Sequence, residues 1–133
     1  MVTDSHIRNL IRIGRVSSLV PERMAVRVVF EDKDSLVSDE LPVMTFGSGR
    51  NKMYWLPDVG EQVCCLMLPN GHNAGICIGS FYSKAEPPKI SDGEKRRIDF
   101  GDGSFIQFDR ATGNLDITCT GNITINGKTI NLN

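Results

Sequence analysis

The sequence predicts an all-β chain in two parts. Three observations carry that expectation. Apolar and polar residues alternate over short segments, which is the period of a strand rather than a helix. Clusters of Gly, Pro, Asn and Asp separate those segments at short intervals. Near residue 98 the composition changes: Gly, Asn, Asp and Thr rise, and the apolar runs shorten.

The elements follow in order. Residues 4–10 fit one or two helical turns, with Asp4 or Ser5 as the cap. IRIGRVSSLV reads as a strand with Gly14 at a bend or bulge, and PER follows as a turn. In MAVRVVFE, Val26, Val28 and Phe30 share one face and Arg27 the other. EDKDS is an acidic loop tip. LVSDELPVMT is β-like, and Pro42 marks an edge or a strand start. FGSGRNKMYWLPDVGE is a long loop holding the single Trp. QVCCLML is a continuous apolar run between turn residues and reads as a buried strand. PNGHN is a turn, and AGICIGSFY is the next strand, with Ile76 and Ile78 on one face and Cys77 and Phe81 on the other. About five strands in residues 1–84 without a long helix suggest a small barrel or sandwich, and a five-stranded barrel of the OB type fits this length. Its expected core is Val26, Val28, Trp55, Val63, Cys65, Ile76 and Ile78.

Residues 85–97 carry prolines, charges and few apolar groups, and read as a linker. Residues 98–133 form the second part. IDF, FIQFD, LDITC, NITI and TINL are its expected strands, separated by turns at GDG, ATGN, TGN and NGK. The apolar parity holds from Leu115 to Ile125 and slips at Asn126–Lys128, so Ile130 and Leu132 resume on even numbers. One short meander with a single apolar stripe is a poor independent fold. The stripe is therefore expected to be buried against other copies of the same chain, which also hides the sheet edges.

Composition excludes several classes. The formal net charge of −1 supplies no basic field for nucleic acid or an anionic membrane. No apolar run approaches the roughly 20 residues of a membrane span. The N-terminus has no signal-peptide core, so synthesis and folding in a cytoplasm are expected. Cys64, Cys65, Cys77 and Cys119 form no CxxC pair, and His6 and His72 are the only histidines, so neither a zinc site nor any other metal or cofactor is expected. The thiols read as small apolar residues in a reducing compartment.

Motifs that look chemical have plainer readings. FGSGR lacks the Walker pattern and no helix follows it. DFGDG has neither the other kinase motifs nor EF-hand spacing, and reads as a hairpin turn. Tyr54 and Trp55 read as residues packing a loop onto the barrel. Asp32, Asp34, Asp39 and Glu40 are expected as solvated loop charges, and His72 as an exposed turn residue. No catalytic residue and no enzyme activity are expected. The rival from another class is a single-stranded nucleic-acid-binding OB protein, which needs basic residues interleaved with stacking aromatics. Aromatics make up only 7% of this chain, and its bases are balanced by acids. A small hydrolase is the weaker rival.

The runs RNLIRIGRVSSL, AVRVVF, ELPVMT and YWLPDVGEQVCCLMLPNGHNAGICIGSFYSKAEPP together resemble the baseplate assembly protein V family. These are the central tail spikes of contractile-tailed bacteriophages, related to the spikes of contractile bacteriocins and type VI secretion systems. WLPDVGEQV, then GICIGSFY and PP, are the most specific parts, and RIDFGDGSFIQFDRATGNLDI resembles the family's entry into its shaft. The resemblance spans residues 8–133. It implies an N-terminal OB-fold followed by an intertwined triple-stranded β-helix or β-prism made by three chains. It implies a structural spike that meets the tail tube, the hub and other baseplate proteins, and is driven mechanically into the target cell envelope. It also implies a virion tail, or a related extracellular particle, as the final location. The trimer core would be Ile106, Phe108, Leu115, Ile117, Cys119, Ile123, Ile125, Ile130 and Leu132. Longer members often end in a His-X-His apex that holds iron. This sequence ends TINLN with no histidine after His72, so that motif predicts no tip metal and leaves room for a separate tip protein.

Overall fold

The structure is a computed structural model that describes residues 10–31, 35–69 and 73–133. Residues 4–9 of the expected helical lead, Asp32, Asp34, and residues 70–72 with His72 lie outside the described residues. The chain divides into two compact units, Met1–Pro87 and Pro88–Asn133.

In the first unit β1 (Ile11–Val20) turns through a short 3-10 segment, Pro21–Arg23, into β2 (Ala25–Phe30). Pro21 opens the 3-10 turn with its fixed φ, and Met24 closes it in the left-handed region at φ 46°. β3 (Leu36–Val37) and β4 (Leu41–Pro42) both pair with β2. β5 (Gln62–Met67) pairs with β1, and β6 (Gly75–Ser80) with β5. All of these pairings are antiparallel. The order is β3-β2-β1-β5-β6, with β4 also on β2.

A closed five-stranded barrel is not what forms. Six strands make an open sheet. Beyond β4, a single parallel bridge joins Val43 to Cys77 of β6, and Met44 N–H bonds to the Cys77 carbonyl at 2.8 Å. The extra strand arises because LVSDELPVMT breaks at Ser38. The buried Ser38 Oγ accepts the Val28 N–H at 3.0 Å and donates to the Asp39 carbonyl at 2.7 Å, so a side chain stands in for one rung of the ladder.

The core is Val16, Val26, Val28, Phe30, Leu41, Val63, Cys65, Met67 and Cys77, with Val43 and Leu56 packed against it. Gly14 sits where β1 lies closest to β2. A Cβ there would come within 2.5 Å of Val28 Cγ1 and of the Val29 carbonyl oxygen. Three expected core residues lie elsewhere. Ile76 and Ile78 are exposed because Cys77 stands opposite the inward Cys65 and fixes the parity of β6. A shift in register follows, with Cys64 opposite Gly79, so Ile78 is the extra, unpaired residue of a bulge. Trp55 is also exposed, in the loop after β4, where its backbone N–H reaches Met24 Sδ at 3.5 Å and Tyr54 Oη donates to the Pro21 carbonyl at 2.8 Å. The run QVCCLML is buried on one face only: Val63, Cys65 and Met67 point in, while Leu66 is exposed.

The second unit is a meander of β7 (Lys95–Asp99), β8 (Phe105–Asp109) and β9 (Asn114–Thr118), in that spatial order. β7 takes in the last residues of the segment read as a linker. Lys95 pairs with Asp109, and Arg110 closes the same end on Glu94 at 3.2 Å. At the β8–β9 turn, Gly113 adopts φ 77°, a region open to glycine at little cost. NITI and TINL are not strands within one chain: no strand runs beyond Thr118. A strand exists only with a neighbouring strand to bond, and residues 119–133 pair with no strand in the single chain.

Candidate assembly surface

The meander has two unlike faces, fixed by period-2 alternation and pairing register. On one face Ile98, Ile106 and Ile117 stand in a row across β7, β8 and β9. Phe108 and Leu115 are paired in the next row, with Arg96 at its β7 end. Phe100 continues the parity beyond β7. All six of these apolar side chains are exposed in the single chain.

The opposite face carries mainly polar groups, and those of β7 and β8 bond to one another. Arg97, Gln107 and Asp116 form one row; Asp99, Phe105 and Thr118 form the next. Arg97 Nε donates to Asp99 Oδ1 at 3.0 Å, and Arg97 Nη1 to Gln107 Oε1 at 2.9 Å. Its guanidinium lies 3.8 Å from the Phe105 ring centroid. The usual order of burial is inverted. The Arg97 side chain is 19% exposed, whereas Ile117 is 55% exposed. Water-facing isoleucines on the face opposite a half-buried arginine make this face the candidate surface for a partner.

A polar clasp fixes where the chain leaves this sheet. Asp102 Oδ1 accepts the Ser104 N–H at 2.8 Å, and Oδ2 accepts the Thr120 hydroxyl at 2.8 Å. Ser104 Oγ in turn accepts the Thr120 N–H at 3.1 Å. The Ser104 backbone N–H, then the Thr120 hydroxyl, hold the Asp102 carboxyl below its ordinary pKa, since both donate to its charged form. Cys119, just before the clasp residue Thr120, and Ile123, Ile125, Ile130 and Leu132 beyond it are all exposed. The structure thus brings Ile106, Phe108, Leu115 and Ile117 onto one sheet face and leaves the last five expected core residues on a segment outside the sheet. Sequence reasoning missed Ile98 and Phe100 as members of this face. The signal was the parity of IDF, which runs on into FIQF.

Elsewhere, a cleft of about 740 Å³ in the first unit is lined by Asp58, Glu61 and Glu86 with Ser80, Phe81 and Tyr82. Glu61 Oε1 accepts the Asp58 N–H at 3.1 Å, and Glu61 Oε2 accepts the Ser80 hydroxyl. Its charge is negative, which repels phosphate. Among the described residues no group of three or more His, Cys, Asp or Glu converges as a metal site, and no helix is long and apolar enough to cross a membrane.

No family model matches the chain. Over 124 residues, 92% of its length, the chain is 27% identical to a curated relative and spans 57% of that relative. The protein to which it is similar in this way is the Spike protein of Escherichia phage P2.

Proposed function

We propose that this chain is a structural tail spike whose working form is a homotrimer, and that it has no enzymatic role. Residues 98–133 of three copies wrap around one axis as an intertwined triple-stranded β-helix, and the first unit serves as an OB-type collar against tail-tube, hub and other baseplate proteins. In a contractile particle, phage or related, such a spike organises the tail tip and is pushed through the target envelope. A separate tip protein on the C-terminal side of the spike belongs to the same reading. The observation that carries this reading is the exposed Ile98–Ile106–Ile117 row on the face opposite the half-buried Arg97–Asp99–Gln107 network. The unpaired strand-like segment after Thr118 has the same remedy, since its N–H and C=O groups need a neighbouring strand. Similarity to a phage Spike protein supports the same conclusion. The acidic cleft disfavours the nucleic-acid alternative.

Solution mass by light scattering tests the reading. Three copies of a 14.7 kDa chain give about 44 kDa. A monomer at micromolar concentration would remove the partner on which this function depends.

A further inference from the structure

Cys65 of β5 and Cys77 of β6 are both fully buried and stand directly opposite one another. Their backbones turn away from each other. The Met67 N–H bonds to the Leu10 carbonyl on the β1 side, and residues two apart on a strand face the same neighbour, so Cys65 also bonds towards β1. The Cys77 carbonyl is taken by the Met44 N–H on the β4 side. The pair is therefore of the non-hydrogen-bonded kind, which brings Cα atoms to about 4.5 Å. That separation falls inside the roughly 4.4–6.8 Å range that a disulfide spans. The two thiols influence each other's titration, Cys65 being pushed up and Cys77 down. Cys64 points to the opposite face of β5, and Cys119 is exposed in the second unit, so neither competes within this pocket.

We propose that Cys65 and Cys77 are an oxidation site that closes to a cross-strand disulfide, with a peroxide as the oxidant. Hydrogen peroxide is small enough to enter a closed core, where a bulky disulfide reagent cannot form its mixed intermediate. The Cys77 sulfur, as thiolate, attacks one peroxide oxygen. The O–O bond breaks, water leaves after protonation, and Cys77 becomes a sulfenic acid. The Cys65 sulfur then attacks the Cys77 sulfur. The S–S bond forms, the S–O bond breaks, and the hydroxyl leaves with the Cys65 proton as a second water. Two thiols lose two hydrogens and two electrons, and one peroxide becomes two waters. Hydrogen bonding between the pair lowers the Cys77 pKa, which suits it as the attacking sulfur, and the same bonding, reinforced by burial, raises that of Cys65. The product staples β5 to β6 when the chain leaves a reducing compartment for an oxidising one.

The test uses the full chain carrying Cys64→Ser and Cys119→Ser, treated with hydrogen peroxide, then denatured and alkylated. The expected result is a loss of about 2 Da and no alkylation, reversed by a dithiol reductant. Adding Cys77→Ala should abolish the mass loss. Peptide mapping of the peroxide-treated wild-type chain, which avoids any folding defect of the variants, should show the 65–77 cross-link. Two free thiols after treatment, sulfinic acids at both positions, or a cross-link to another cysteine would overturn the proposal.

Discussion

Replacing Ile117 by aspartate is the sharpest perturbation of the proposed assembly. Ile117 lies in the Ile98–Ile106–Ile117 row, and 55% of it is exposed in the single chain. Aspartate at that position therefore disturbs the isolated chain little. Within a trimer the account changes. Full burial of an isoleucine is worth about 2 kcal/mol, so the exposed remainder contributes about 1 per chain and about 3 across three copies. Each carboxylate brought unpaired to the shared interior costs several kcal/mol more. The sum is on the order of 10 kcal/mol per assembly, or about seven powers of ten in association. Light scattering and analytical centrifugation at neutral pH should report a monomer for Ile117→Asp where the wild type is a trimer, with far-UV dichroism of the first unit preserved. A variant that keeps the wild-type mass would show that Ile117 does not lie in the shared core, and the placement of the whole face would fall with it.

Other outcomes follow from single contacts. Gly14→Ala forces a Cβ to within 2.5 Å of Val28 Cγ1 and the Val29 carbonyl, and should destabilise the first unit by about 1–3 kcal/mol in a denaturant melt. Ser38→Ala leaves the buried Val28 N–H without its acceptor and should cost about 1–3 kcal/mol by the same measurement, with faster amide exchange at Val28. The Asp102 carboxyl should titrate below the usual aspartate range by NMR. Because its folded pKa is lowered, its contribution is present above the unfolded pKa and lost as pH falls through the folded one, and Thr120→Val should move the midpoint up.

The all-β class was legible because strands and turns leave local marks. The alternation in MAVRVVFE corresponds to a β2 in which Val26, Val28 and Phe30 are buried and Arg27 is exposed. What stayed hidden depended on non-local register. Nothing in AGICIGSFY says that Cys77 rather than Ile76 points inward. On size alone the isoleucines are the better core residues, and only the pairing of Cys77 with Cys65 decides otherwise. The division of LVSDELPVMT into β3 and β4 rests on one hydroxyl reaching a backbone N–H ten residues away, which no periodicity encodes. In the second unit the apolar stripe was readable, but the strand state of NITI and TINL was not. Those segments are strand-like in pattern and unpaired in one chain, and a period-2 pattern does not say whether a strand to pair with is at hand.

The Asp102–Ser104–Thr120 clasp has a consequence for the order of events. Every pairing in the second unit joins segments close in sequence, and the clasp spans only 18 residues. Contacts of that range form early and fast. The plate of β7, β8 and β9 is therefore complete within the single chain. Residues past Thr120 join no strand in the single chain. In the proposed trimer, assembly then begins as a collision of finished plates, dependent on concentration, and proceeds as a zipper running from the clasp to the C-terminus. The clasp is its fixed end, and it sets all three tails in the same register before the first interchain rung is made.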